Sequence, residues 1–391
     1  MRKNLLVACT AAAVTALAAS SADPACCYFS ALEKDVKQPG QRAFITWDPA
    51  EKVESFTVQP MFEGNAEDFG MVVPTPAQPK LAEMHKDLFK TLAVYTILKP
   101  LDQKKWQPMP RAATGGVAKG FERETKGGVK VLEAGTVGSL DYKVIEASNA
   151  EGLFDWLKEN KYAYSGDKAT LEFYVEKKWF FTVMKIDPKQ MKKRADGTYL
   201  GEVTPTRFTF ESDKLIYPLR ITKISVKDKT DALFYIQAPE KVDFPGAHSY
   251  QVNHQTLWWT AYSTAVWEHH GAAEKDWWAH VKDKQQEIFR EYKERLGKGR
   301  ELSTLEWARR ITDEDLKVIT GEAKFDREAP AEEVKKLATL SGIIRKGQFV
   351  TKCRHVFYKD EMDEDLVFVE ASYKGRKDAT EHVEIMPSSP P

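Results

Sequence analysis

Stretches in which apolar side chains recur at every second position dominate the first two-thirds of the chain. Phe56, Val58 and Phe62 follow this period, and residues 178–187 and 202–226 alternate in the same way, with many Val, Ile, Phe and Thr. A period of two is typical of strands with one buried face, because successive side chains of a strand point to opposite sides. The sequence therefore predicts β-strands in these segments.

In other segments the apolar period changes to three or four residues, which predicts helices. Helices are expected at Lys80–Tyr95, Ala150–Asn160, Leu302–Arg310 and from a Thr312 cap to Ile319, and a helical layer is expected from about residue 254 to 320. Strands that come first, with helices grouped late, are typical of α+β proteins. We therefore predict an α+β fold of mainly antiparallel sheet, with a helical layer formed by residues about 254–320.

A chain of 391 residues is long enough to bury a core without disulfides or metals. Residues 104–128 combine prolines and glycines with few large apolar side chains, which is typical of a mobile loop. The predicted segments are a signal peptide (1–22), a main α+β body containing that loop (23–245), a helical insertion or subdomain (246–345), a returning β-hairpin that completes the body (346–386) and a disordered tail (387–391).

The first residues predict export. Arg2 and Lys3 precede an apolar, alanine-rich run from Leu5 to Ala19, and small residues follow up to Ala22. This order is typical of a secretory signal peptide, so we expect cleavage near Ala22 and a periplasmic or extracellular location. The run is too short for a transmembrane anchor, and Cys9 has too few residues before it for a lipoprotein signal.

The charge of the chain excludes one class of partner. The whole sequence has 58 basic and 58 acidic residues, so its net charge is zero. Nucleic acid is therefore excluded as the main partner, because binding it requires a basic excess.

Export would leave three cysteines, Cys26, Cys27 and Cys353. Adjacent cysteines rarely bond each other because of the geometry a disulfide requires. The period of two points Cys353 inward together with Thr351 and Phe357. We therefore expect one cysteine of the pair to lie near Cys353 and hypothesise a disulfide between them, with an apolar core thiol as the alternative.

Residues 248–280 concentrate histidine and tryptophan. They include His248, His254, His269, His270 and His280, and also Trp258, Trp259, Trp267, Trp277 and Trp278. Imidazole suits zinc or copper, and flat indole rings suit sugars or apolar partner surfaces. Because no histidine pair has the spacing of a helical zinc motif, we interpret the segment as helical core and predict no cofactor. The alternatives are a binding site at the five tryptophans and a divalent-metal site at His254, His269, His270 and His280.

The run Asp360–Asp365 offers closely spaced carboxylates between two predicted strands, Val350–Tyr358 and Leu366–Tyr373. Calcium loops usually contain a glycine at their sharp turn, and this run has none. We therefore predict a solvated hairpin loop, with weak cation binding as the alternative.

Several sequence blocks carry a family resemblance. The first, FTVQPMFEGNAEDFGMVVPTPAQPK (Phe56–Lys80), joins a Gly-x-Ala-x-x-Phe turn to Val-Pro-x-Pro. The others are LFDWLKENKYAYSGD (Leu153–Asp167), YVEKKWFFTVMKIDP (Tyr174–Pro188), TPTRFTFESDKLIYPLRIT (Thr204–Thr222) and FVTKCRHVFYKDEMDEDLVF (Phe349–Phe368). Together they resemble the bacterial domain-of-unknown-function 2330 family over nearly the whole mature chain. Cys353 departs from the aliphatic residue expected there, so the resemblance supports no family-wide disulfide.

This resemblance implies a secreted or envelope-associated bacterial protein and supplies no catalytic residues. With no complete catalytic motif in the sequence, we predict a non-catalytic binding or scaffolding protein of the cell envelope. An envelope protein or a glycan is the expected kind of partner. The alternative is a metal-dependent hydrolase that uses residues 248–280.

Overall fold

The computed structural model describes residues 28–31, 40–59, 69–97, 99–100, 130–138, 140–160, 162, 164, 168–186, 204–226, 228–245, 283–284, 286–287, 290, 304–371 and 381–382. The predicted signal peptide, mobile loop and tail lie outside these residues, as does most of the predicted helical insertion.

The strands of this described part pair mainly antiparallel. In chain order they are β1 (Tyr28–Ala31), β2 (Gly40–Asp48), β3 (Val53–Val58), β4 (Phe69–Thr75), β5 (Lys80–Glu83), β6 (Lys99–Pro100), β7 (Lys130–Val137), β8 (Leu140–Glu146), β9 (Phe180–Ile186), β10 (Thr206–Glu211), β11 (Ile216–Tyr217), β12 (Lys229–Ala238), β13 (Val242–Asp243), β14 (Thr304–Arg310), β15 (Phe349–Tyr358), β16 (Leu366–Val367), β17 (Val369–Glu370) and β18 (Glu381–His382). A seven-stranded sheet has the order β14-β15-β12-β2-β3-β10-β5, and a five-stranded sheet has the order β1-β4-β9-β8-β7. Within the two large sheets only β2 and β12 run parallel.

Helices cover parts of both sheets. The α-helices are α1 (Leu88–Tyr95), α2 (Ala150–Glu159), α3 (Lys168–Glu176), α4 (Asp313–Thr320) and α5 (Ala331–Lys335), and short 3-10 helices lie at Arg220–Ser225, Lys336–Leu340 and Lys359–Glu361. The predicted Thr312 cap of α4 is confirmed, because its hydroxyl accepts from the Asp315 amide at 3.3 Å and the Asp315 carboxylate accepts from the Thr312 amide at 2.9 Å. Such a reciprocal pair satisfies two of the free amides at a helix start.

The two large sheets pack face to face. Their shared core contains Phe56, Phe208 and Phe234 from the seven-stranded sheet, with Met71 and Met184 from the five-stranded sheet. All five side chains are almost completely buried. The sheets therefore form the two inner layers of the structure.

Each sheet packs its other face against helices. Leu153 of α2 and Leu171 of α3 bury against Phe181 of the five-stranded sheet. On the far side, Leu92 of α1 and Ile319 of α4 belong to the core that covers the seven-stranded sheet. The described chain is thus a four-layer helix–sheet–sheet–helix structure, and the predicted α+β class is confirmed.

Three local predictions are wrong for one physical reason, which is pairing with a distant strand. The predicted helix Lys80–Tyr95 begins only at Leu88, because Lys80–Glu83 form the edge strand β5 against β10. The predicted helix Leu302–Arg310 is instead β14, which pairs with β15. The helical layer expected at residues 254–320 therefore includes a strand.

The predicted returning hairpin is also wrong in its second arm. β15 forms as expected but lies inside the seven-stranded sheet, between β12 and β14. The residues that follow pair elsewhere, β16 with β11 and β17 with β13. A further element, α3, was not predicted at all.

Removing the ring of Phe234 tests the packing between the sheets. This ring lies 5.0 Å from the Tyr217 ring and 5.1 Å from the Phe368 ring, measured between centroids. We expect Phe234→Ala to lower the free energy of unfolding by about 3–5 kcal/mol, because it leaves a cavity in a packed core. Urea unfolding followed by circular dichroism measures the change. Val131→Ala, at a 45% exposed position of β7, is the control and should change it by less than about 0.5 kcal/mol. Similar effects of the two substitutions would contradict the packing described here.

Candidate functional site

Most of the residues singled out by sequence lie outside the described part of the chain. This holds for the five histidines and five tryptophans of residues 248–280, including the metal candidates His254, His269, His270 and His280, and for Cys26 and Cys27. The tryptophan and metal hypotheses therefore stay predictions. Among the described residues, no group of three His, Cys, Asp or Glu side chains is arranged to hold a metal ion.

Cys353 is a buried free thiol on β15. As its alternating neighbours predict, Thr351 and Phe357 are buried with it. Burial first, and then the nearby Asp243 carboxylate, raise the pKa of the thiol well above its ordinary value. A buried thiol of raised pKa is a poor nucleophile, so the described surroundings of Cys353 are those of a core residue.

The prediction that the loop Asp360–Asp365 is solvated is wrong at its last residue, Asp365. The Asp365 side chain is 1% exposed and accepts a hydrogen bond from the Tyr174 hydroxyl at 2.6 Å and another from the Arg220 amide at 3.3 Å. The Tyr174 hydroxyl in turn accepts from the Ile221 amide at 3.0 Å. This network fixes the loop to α3 and to the 3-10 helix beside it.

A second group of charges cross-links the seven-stranded sheet. Glu306 pairs with Lys352 at 2.9 Å and with Arg354 at 2.7 Å, and Arg354 also pairs with Asp231. Although burial raises the pKa of Glu306, the two cations hold it below its ordinary value. These charges are paired with one another across three strands. We therefore interpret them as groups that stabilise the sheet and not as a ligand site.

The helical layer over the five-stranded sheet carries the most distinctive surface of the described residues. Helix α2 begins at the Asn149 cap, whose side chain accepts from the Gly152 amide at 2.6 Å. A β-carbon at Gly152 would lie 2.9 Å from the Asn149 oxygen, so the close cap requires glycine. Leu153 and Leu157 point to the sheet, which leaves Phe154 and Trp156 of the same helix half-buried on its two flanks.

On both flanks, cations lie over aromatic rings. Lys143 Nζ lies 5.3 Å from the centroid of Trp156, Lys168 Nζ lies 5.1 Å from Phe154, and Lys185 Nζ lies 4.1 Å from Tyr162. Trp156 also stacks on Tyr162 at 5.7 Å and 18°. We call the cation–ring groups of this helical layer together the aromatic–cationic face, and its residues are Lys143, Phe154, Trp156, Tyr162, Lys168, Phe173, Lys177, Lys185 and Arg220.

Phe173 of α3 has two cations over its ring. Lys177 Nζ lies 3.6 Å and Arg220 Cζ lies 4.1 Å from its centroid. Lys177 also pairs with Asp365 at 3.4 Å, so the acidic loop holds one of the cations in place. The face therefore has a fixed rather than a flexible arrangement of charge.

The chemistry of the face suits a ligand with flat apolar surfaces and negative groups. Aromatic rings contribute dispersion and stacking, and ammonium groups next to them attract anions. Lys143 donates to the Asn160 side chain at 3.4 Å, and Lys168 is paired with the exposed Glu151. The sequence block at residues 153–167 contains three of the four rings, but the pairing of lysines with rings could not be predicted from it.

No helix among the described residues is long and apolar enough to cross a membrane.

Comparison with known proteins gives a family match, to the model described as an uncharacterized protein conserved in bacteria (DUF2330), over residues 20–360. No curated protein matches the sequence. Among solved structures the chain is similar to the crystal structure of baculovirus P35, at 12% identity over 56% of this chain and 68% of that chain. The TM-score is 0.28, so this likeness supports no conclusion on fold or function.

The buried carboxyl of Asp243, near Cys353, makes stability depend on pH. Burial raises the pKa of Asp243 from 3.8 to about 6, and its Oδ2 has no hydrogen-bond partner among the described residues. Between about pH 4 and about pH 6 the unfolded chain releases this proton while the folded chain keeps it. We therefore expect the wild type to lose about 3 kcal/mol of stability, relative to Asp243→Asn, as the pH rises through this window.

Urea unfolding of the wild type and of Asp243→Asn across this pH range measures the difference. Asp213→Asn, which removes an exposed carboxylate, is the control and should leave the wild-type loss in place. Parallel pH profiles for the wild type and Asp243→Asn would show that the carboxyl has no raised pKa.

Proposed function

Because the chain belongs to the DUF2330 family of uncharacterised proteins conserved in bacteria, we propose that it is an exported cell-envelope protein that binds an acidic glycan. In this proposal the aromatic–cationic face holds the ligand and performs no covalent chemistry. The family match carries no activity, so the proposal depends on the sequence of the N-terminus and the geometry of the face.

Export is supported by the order of residues before the family match. The basic pair Arg2 and Lys3 and the apolar run from Leu5 to Ala19 all precede residue 20, where the match begins. A removable targeting segment followed by the family domain explains this order. The proposed location is periplasmic or extracellular.

The observation that carries the binding proposal is the cation pair on Phe173, with Lys177 at 3.6 Å and Arg220 at 4.1 Å from its ring. Phe173 is half-buried, and Trp156 and Phe154 on α2 are half-buried as well. Sugar rings pack on flat apolar surfaces, and the carboxylates of an acidic glycan are complementary to the surrounding cations. An acidic glycan is therefore the ligand class that uses both properties of the face.

Export is tested by the N-terminus of the protein recovered from a diderm bacterial host. We expect the full-length chain to be processed, with the mature protein in the osmotic-shock fraction and Asp23 as its first residue. N-terminal sequencing and intact mass measure this. Unprocessed protein that stays in the cytoplasmic fraction would contradict export while leaving glycan binding to be tested separately.

Glycan binding is tested with immobilised polygalacturonate, using neutral dextran as the reference, by surface plasmon resonance. We expect binding to polygalacturonate only, weakening as salt screens the charges. Lys168→Gln and Trp156→Ala should each weaken it by about threefold to tenfold, because each removes a cation–ring contact of the face.

Lys229→Gln is the matched control for this experiment. Lys229 Nζ lies 5.5 Å from the Tyr358 ring, and this cation–ring pair belongs to the seven-stranded sheet and is not part of the face. Its removal should leave binding unchanged. Equal loss in the control and the face variants, or equal binding of dextran, would overturn the proposed ligand.

A further inference from the structure

Three buried side chains between the seven-stranded sheet and its helices carry donors that no described residue satisfies. They are the Tyr95 hydroxyl at the end of α1, the Trp307 indole N–H on β14 and the Arg327 Nε–H. Tyr95 and Trp307 are almost fully buried, and the Arg327 side chain is 4% exposed. Buried polar groups in native proteins are nearly always paired, so three such donors in one place require an explanation.

The three side chains contact one another. The rings of Tyr95 and Trp307 meet edge to face, with centroids 5.6 Å apart. The guanidinium carbon of Arg327 lies 6.0 Å from the Trp307 centroid, and Arg327 Nη1 donates to the Tyr95 carbonyl oxygen at 3.1 Å. We call this group of Tyr95, Trp307 and Arg327 the donor cluster.

An extra residue in β14 places Trp307 in the cluster. Leu305 lies opposite Cys353 and Trp307 lies opposite Lys352, so Glu306 is inserted as a bulge. Residues two apart in a regular strand share a face, and a bulge breaks that rule. Leu305 therefore packs away from the helices, whereas Trp307 belongs to the core beneath them. Such local irregularities often re-aim a side chain at a functional position.

The acidic groups near the donor cluster are used elsewhere or lie too far away. Asp315 accepts from Thr312 and pairs with Arg309 at 2.9 Å. Asp326 lies 3.9 Å from Arg327 Nε, beyond hydrogen-bond distance, and is half exposed. Burial lowers the pKa of Arg327 and raises that of Tyr95, because it disfavours the charged form of each group.

We propose that the donor cluster binds the carboxylate group of a small organic acid. The indole and guanidinium N–H groups can only donate and the Tyr95 hydroxyl can donate as well, so a missing group that satisfies all three must supply acceptors, and two carboxylate oxygens can accept three hydrogen bonds. One negative charge matches the single guanidinium, whereas a doubly charged phosphate would leave a buried excess charge. The cluster lies in the helical layer opposite the aromatic–cationic face, so this site is separate from the proposed glycan site.

The test is acetate binding to the full chain, read as a rise in Tm at constant ionic strength set with sodium chloride. We expect acetate to raise the Tm of the wild type, and sodium phosphate at equal ionic strength to have no such effect. Tyr95→Phe and Trp307→Phe should each weaken acetate binding by about tenfold or more, because each removes one hydrogen bond to a charged group. Without acetate, Tyr95→Phe should not be less stable than the wild type, because it removes a donor that has no partner and keeps the ring. Trp307→Phe also leaves a cavity in the core, so it should lower the Tm without acetate.

Tyr235→Phe is the matched control. Tyr235 is buried on the same sheet, but its hydroxyl is hydrogen-bonded to Thr96. Its removal should lower the Tm without acetate and leave the acetate response intact. The proposal is overturned if acetate and phosphate act alike, if acetate has no effect, or if Tyr95→Phe lowers the Tm without acetate as Tyr235→Phe does. The last result would mean that the donors are already satisfied within the protein, by buried water or by other residues.

Discussion

The pairing of β12 with β2 on one edge and β15 on the other is the interaction on which the rest of the structure depends. One face of β12 supplies Phe234 and Ile236 to the core between the sheets, and the other supplies Leu233 and Tyr235 to the core under the helices. Because both faces and both edges of this strand are covered, it joins all the layers except the outer helices of the five-stranded sheet. Because β15 pairs with this central strand, β15 and its middle residue Cys353 are buried as well.

The sequence predicts elements well where local pattern and distant packing agree. Helix α2 has a cap and an apolar stripe on one face, and it forms within one residue of its expected end. The segment Leu302–Arg310 has an apolar spacing that also suits a helix, yet it is a strand, because β15 offers an unpaired edge. The same reason turns Lys80–Glu83 into a strand beside β10. The local preference of a segment for helix or strand decides its structure only where no unpaired strand edge is available.

The candidate site was less predictable because its contacts join separate segments. Aromatic residues off the apolar stripe of α2, such as Trp156, were a visible signal of a surface role. Their cationic partners were not, since Lys143 comes from β8 and Lys185 from β9. The donor cluster was hidden in the same way, because an inserted Glu306 reverses the direction that alternation predicts for Trp307. A one-residue bulge cannot be recognised from the spacing of apolar residues in the sequence.

The order of strands around β12 also governs when the protein can fold. β2 leaves the ribosome early, β12 follows in the middle of synthesis, and β15 comes last of the three. Until residue 358 has emerged, β12 has one edge without its partner, and an open edge of an apolar strand is a site for misassembly. Contacts between such distant segments are also slow to form. The central sheet therefore cannot close before the late part of synthesis, and a chain stopped before β15 keeps an unpaired strand edge at its centre.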